Sequence, residues 1–177
     1  MINWNMISKI MGALLFFEAA LMSLSLGISV YSGEGDTPAF VTSVGLILLA
    51  AIVFRYFGLK AGNRLSRKDA YMVVTLSWVV FSLFGSLPFM LSGYVNNFTD
   101  AFFEHMSGFT TTGATVIDDV EALPHGLLFW RSFTQWIGGL GIVFFTVALL
   151  PSLDGGYVKV FSAEITGPIQ TKLHPRL

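Results

Sequence analysis

The sequence contains no cysteine, which removes a disulfide framework, a thiolate nucleophile and any cysteine-based metal site. Charge is also scarce: 12% of the 177 residues are charged against 54% hydrophobic. The mean hydropathy of +0.69 lies well outside the balance of a soluble domain. No nucleophile elbow, Walker loop, dinucleotide fingerprint or His-Glu metal motif is present. His105, His125 and His174 are far apart and lack ligand spacing, so no transition-metal site is expected. Nothing argues for an enzyme. The formal net charge of -1 carries no message about partners, because in such a chain the placement of charges matters more than their sum. No nucleic-acid partner is expected. The first apolar stretch has no basic leader and no A-x-A cleavage pattern, so it reads as a retained span. What remains is an integral membrane protein.

Residues 7–31 carry only Lys9 and Glu18 as charges, and about 20 residues at 1.5 Å rise suffice to cross the hydrocarbon. Gly33, Gly35 and Pro38 break this helix, and a second span follows from about Ala39 to Tyr56, making a transmembrane hairpin (residues 1–60). Arg55, Lys60, Arg64, Arg67 and Lys68 are half of all lysines and arginines in the chain, so the positive-inside rule puts this loop in the cytoplasm. Ser66 with Asp69 predicts a capping box opening a third span, 70–93, in which Pro88 favours a kink or early stop. A fourth span is expected at 127–150, closed by Pro151, with 152–177 as a cytoplasmic tail or a connection to a next unit. Both termini are then cytoplasmic. The loop from Gly93 to Gly126 is outside, and its Asp100, Glu104, Asp118, Asp119 and Glu121 make an acidic vestibule without lysine or arginine. Glu18 is an intramembrane carboxyl in the hairpin, for which a protonated or hydrogen-bonded structural role is expected.

That outer loop is too apolar for a solvated connection. Phe98, Phe102, Phe103, Met106 and Phe109 recur at helical spacing, with Thr99 as the expected N-cap, predicting a helix over 99–109. At about 16 Å it can enter the bilayer but not cross it. The following run 110–115, Thr-Thr-Thr-Gly-Ala-Thr, then lies at membrane depth. Non-helical backbone there must be buried in protein or line a wet cavity. Small side chains and the freedom of Gly113 allow carbonyls to face one axis and replace the water around a cation. The competing reading is a Thr-rich connection that only packs. In the fourth span, Gly138, Gly139 and Gly141 allow a close approach, with packing preferred over a hinge. Arg131 needs a partner such as Glu104, Asp118 or Asp119, and is a candidate anchor for the pore loop, with snorkelling to the headgroups as the alternative.

The run 107–115 (SGFTTTGAT), Arg131-Ser132 with 135–142 (QWIGGLGI), Leu150-Pro151, and Ala163-Glu164 with Gly167-Pro168 together resemble the Trk/Ktr/HKT superfamily of cation transporters, most closely its bacterial Trk-type membrane subunits. The resemblance implies an all-α integral membrane fold, with a helix hairpin followed by a helix, re-entrant pore helix, filter loop and helix of potassium-channel type (61–151). It implies that Thr111, Thr112, Gly113, Ala114 and Thr115 form a selectivity filter, with Gly113 at the first filter glycine, and that the chain serves potassium uptake in the bacterial inner membrane. A sodium- and potassium-permeable relative, or a non-conducting assembly or regulatory subunit, are the alternatives. The partners so implied are lipid, the remaining pore units, a second copy in a dimer, and a cytosolic nucleotide-binding RCK regulatory subunit. One pore unit stands here where the family has four, and one loop cannot surround an ion. A segment of a longer transporter is preferred to a tetramer of this chain.

Overall fold

The computed structural model of this chain describes residues 2–59, 61 and 66–149, and within them every regular element is helical. The order is α1 (Trp4–Ser32), α2 (Thr37–Phe57), α3 (Arg67–Gly85), α4 (Leu87–Leu91), α5 (Phe98–Phe109) and α6 (His125–Leu149). Lys60, Arg64 and all of 150–177, with the family-like residues Leu150, Pro151, Ala163, Glu164, Gly167 and Pro168, lie outside the described residues.

The α1 helix opens on Asn3, whose side chain accepts from the Met6 amide at 3.2 Å, and closes on Gly33 in the left-handed conformation (φ 67°). Its buried residues recur at three- and four-residue intervals: Ile7, Met11, Leu15, Glu18, Met22, Ser25 and Ser29. Pro38 starts α2 at a position where no amide is needed, and Phe40, Ser43, Ile47 and Ala51 face α1. Small residues set the approach of the two helices. A methyl on Gly12 would lie 2.9 Å from the Ala51 carbonyl and the Arg55 amide, and one on Gly58 would lie 2.6 Å from the Lys9 backbone.

The capping box expected at Ser66 and Asp69 is present. Asp69 Oδ1 also accepts from the Asn3 amide at 2.8 Å, tying the starts of α1 and α3. The single helix expected over 70–93 is instead two. Pro88 has no amide to donate to the Phe84 carbonyl, so α3 ends at Gly85, Ser86 turns the chain, and α4 runs to Leu91. Among the described residues three helical stretches are long and apolar enough to cross a membrane: Trp4–Ser32, Thr37–Phe57 and Lys68–Leu91. At 25 residues α6 reaches about 37 Å, which also suffices. Phe17, Leu24, Val41, Leu49, Ile52 and Val79 stand exposed, a surface suited to lipid.

The hairpin is fastened to α6 at the turn between α1 and α2. Glu34 Oε2 accepts the His125 amide at 2.6 Å and Oε1 meets His125 Nδ1 at 2.6 Å, so a loop acid caps the helix that carries Arg131. The His125 backbone amide and then its ring hold the Glu34 carboxyl below its ordinary value of 4.5. A carboxyl so lowered stabilises the fold above the unfolded value and loses that effect as pH falls through the folded one. The melting temperature of the wild type should therefore exceed that of Glu34→Gln above about pH 5, and the two curves should converge in more acidic buffer. A constant gap between them down to pH 3 would contradict the assignment.

Candidate functional site

Asn97, in extended conformation, caps α5 by accepting the Thr99 amide at 3.0 Å. The expected cap was Thr99; Asn97 takes the place because its side chain reaches that amide two residues on, and the helix therefore begins at Phe98. With 12 residues α5 is about 18 Å long, roughly half a bilayer. One face buries Ala101, Glu104, His105, Ser107 and Phe109. His105 is stacked between Trp130 and Phe109, at ring distances of 5.8 and 6.0 Å. It fits against α3 only because Gly85 has no side chain: a methyl there would overlap the imidazole. The Trp130 indole donates to the Gly85 carbonyl at 2.9 Å, locking α6 to the end of α3.

Beyond α5 the chain folds back on the helix it has just left. The amides of Thr110, Thr111 and Thr112 donate to the carbonyls of Met106, Gly108 and Ser107 at 2.8–2.9 Å, and that of Gly113 donates to Ser107 at 3.3 Å. In a trans peptide the carbonyl points opposite to the amide it is bonded to. With the amides of residues 111–113 turned into the helix end, the carbonyls of Thr110, Thr111 and Thr112 point away from it. Among the described residues no hydrogen bond is donated to the carbonyls of Thr110 through Gly113, and residues 111–116 are exposed. The turn needs Thr111 at φ 59° and Gly113 at φ 76°, with Thr112 between them on the negative side. Glycine takes that conformation freely, whereas a β-branched threonine is strained in it. At Gly113 the constraint is conformational, since a methyl there would meet only Gln135 Nε2, at 3.8 Å.

The far end of the loop, after Gly113, is held from behind. The Ser107 hydroxyl donates to the Ala114 carbonyl at 2.6 Å. Glu104 Oε2 accepts from the Thr115 hydroxyl at 2.9 Å and from the Val116 amide at 3.0 Å. Its other oxygen meets Arg131 Nε at 2.6 Å. Of the three acids considered as partners for Arg131, the structure places Glu104 there. Glu104 was also expected in the acidic vestibule, and that part is corrected: it is 1% exposed, because it sits on the inner face of α5. Asp118, Asp119 and Glu121 are exposed on the stretch leading to α6. Asp119 turns its carboxylate to the amides of Glu121 and Ala122.

The glycines of α6 divide the work unequally. A methyl on Gly138 would overlap the carbonyl oxygen of Phe109, the last residue of α5. One on Gly139 would stand 3.8 Å from Thr111 Cγ2, and one on Gly141 would meet nothing within 4 Å among the described residues. On the facing helix, a methyl on Gly108 would approach Thr134 Oγ1 to 3.3 Å. Glu18 is buried in α1, with both carboxyl oxygens lacking a hydrogen-bond partner among the described residues. Reading the sequence did not single out Ser107 as a loop-holding residue; its signal was the i, i+3 spacing from Glu104, which puts both on one face of α5.

The sequence model of the TrkH family, described as a cation transport protein, matches residues 39–176. The chain belongs to the TrkH family. Within this family it is 40% identical over 175 residues to the Trk system potassium uptake protein TrkH of Halomonas elongata, a match covering 98% of the chain and 36% of that relative. It is 43% identical over 120 residues to the Trk system potassium uptake protein TrkG of Escherichia coli, covering 67% of the chain and 25% of the relative. The crystal structure of the potassium transporter TrkH from Vibrio parahaemolyticus superposes with a TM-score of 0.79 at 32% identity, over 92% of this chain and 36% of that one. The chain thus spans a little over a third of the length of these TrkH relatives, and the all-helical membrane fold is that of the family.

Proposed function

We propose that this chain supplies one filter loop to a potassium uptake protein of the bacterial inner membrane, the carbonyl oxygens that follow α5 replacing water around the ion. The observation that carries this reading is the direction of the loop peptides: amides turned into the pore-helix end, carbonyls turned out and, among the described residues, free of donors. Oxygen dipoles so arranged recognise a cation without any charged side chain. Thr111, Thr112 and Gly113 contribute most directly. Thr115 and Ala114 help to hold the loop, and Arg131 anchors it through Glu104. In this reading residues 1–60 are a supporting hairpin, residues 61–151 the pore unit, and residues 152–177 a cytoplasmic tail or a connection to a next unit. The missing three quarters of the ring come from further pore units of a longer chain, which the coverage of the relatives supports.

The orientation follows from charge. Lys9, Arg55 and Lys68 lie at one end of the bundle, and Glu34, Asp118, Asp119 and Glu121 at the other, so the basic end and the N-terminus face the cytoplasm. The remaining partners are lipid around the apolar belt, a second copy, and a cytosolic nucleotide-binding RCK subunit at the basic side.

The test is potassium-limited growth of an uptake-deficient cell carrying the intact transporter. Gly113→Ala adds little bulk but opposes the left-handed turn by about 1–2 kcal/mol, so potassium over sodium discrimination should fall about tenfold. Growth and discrimination unchanged by Gly113→Ala would favour a loop that only packs, in a non-conducting subunit.

A further inference from the structure

Ser107 is 5% exposed and turns both its carbonyl and its hydroxyl to the loop. Its carbonyl receives the Thr112 and Gly113 amides, at 2.9 and 3.3 Å, while its hydroxyl reaches across to the Ala114 carbonyl at 2.6 Å. A helical serine ordinarily returns its hydroxyl to a carbonyl one turn back. Here that bond is given up for one seven residues ahead. The loop therefore has two kinds of carbonyl: those from Thr110 to Gly113 have no donor among the described residues, and that of Ala114 is drawn against a buried hydroxyl. The chain climbs from the C-terminal end of α5 toward Glu104, so Ala114 lies on the outer side of Gly113.

We propose that Ser107 withdraws the Ala114 carbonyl from the ion path, so that this unit gives its free oxygens to the inner cation positions and leaves the outermost one a ligand short. The inference rests on the filter reading and deepens it. A carbonyl has two lone pairs, but one already serving a short hydrogen bond has less to offer a cation. An alkali cation at the outermost position keeps water on the side facing this unit. That position therefore holds the entering ion weakly and lets it move on, as conduction requires. Ser107 is in this sense a positioning residue that sets how tightly the outer mouth binds potassium.

The experiment compares Ser107→Ala, which removes the donor, with Ser107→Thr, which keeps it, in the intact transporter. The readouts are the KM for external potassium uptake and the concentration of external caesium that halves uptake. Freeing the Ala114 carbonyl in Ser107→Ala should lower both by about fivefold, the scale of one net hydrogen bond, and Ser107→Thr should keep the wild-type values. If Ser107→Ala is not recovered in the membrane, Ser107→Cys, a much weaker donor, must shift both readouts in the same direction. Wild-type KM and caesium block in Ser107→Ala, or in Ser107→Cys when that variant stands in, would overturn the inference. If Gly113→Ala still loses discrimination in that case, the filter reading survives. If Gly113→Ala is also silent, both fall.

Discussion

Gly138→Ala is expected to abolish potassium-limited growth of a deficient cell and to lower the melting temperature of the purified protein sharply. The added methyl would overlap the Phe109 carbonyl oxygen. That oxygen is backbone at the last residue of α5, so no rotamer change can clear it. Either α6 or the end of α5 must move, and overpacking of this kind costs about 1–3 kcal/mol even where side chains can yield. Any movement of Phe109 also shifts the carbonyls of Met106, Ser107 and Gly108, on which the loop amides rest. Gly141→Ala is the matched control: among the described residues nothing lies within 4 Å of its new methyl, and its stability should stay within about 0.5 kcal/mol of wild type. Equal tolerance of the two substitutions would refute the packing described.

Removal of the Glu104 carboxylate should be the most damaging single change to the loop support. In Glu104→Ala the buried Arg131 contact, the Thr115 hydroxyl and the Val116 amide lose their acceptor together. Breaking a buried ion pair from one side costs about 3–5 kcal/mol, moderated here because Arg131 is 21% exposed and keeps a route to water. Glu104→Gln retains acceptors for Thr115 and Val116 but not the charge, so it should spare ion discrimination better than Glu104→Ala while losing stability. Arg131→Gln leaves a carboxylate buried and should also impair assembly. In a double-mutant cycle on unfolding free energy, Glu104→Gln and Arg131→Gln should couple by at least about 1 kcal/mol. Additive effects, or an Arg131→Gln protein indistinguishable from wild type, would remove the anchoring role.

The features legible in the sequence were those written locally. The capping box at Ser66 and Asp69 is a four-residue pattern, and the half-length helix after Asn97 is a periodic run between breakers. The features not legible depend on which side chain meets which across helices. Gly138, Gly139 and Gly141 look alike as letters, yet of these only Gly138 meets a backbone oxygen among the described residues. Glu104 looked like one acid of an outer cluster, but the phase of α5 turns it inward and the neighbours on α6 cover it. The stop at Gly85 follows from Pro88, whose effect was expected, though whether the chain would kink or restart depended on Ser86. The Thr99 cap failed for a closer reason: two short polar residues stand two positions apart, and only geometry chooses Asn97.

The fold-back of the loop onto α5 has one more consequence, which concerns the sign of the ion. A run of peptides presents either its hydrogens or its oxygens to a visitor, and here four consecutive hydrogens, from Thr110 to Gly113, are consumed by the helix end. A chloride ion arriving at this surface would find no donor from those peptides, and the threonine hydroxyls of 110 and 112 are engaged with each other. In the proposed filter these peptides thus favour a cation over an anion by the chain direction itself, before any acidic side chain at the mouth is considered.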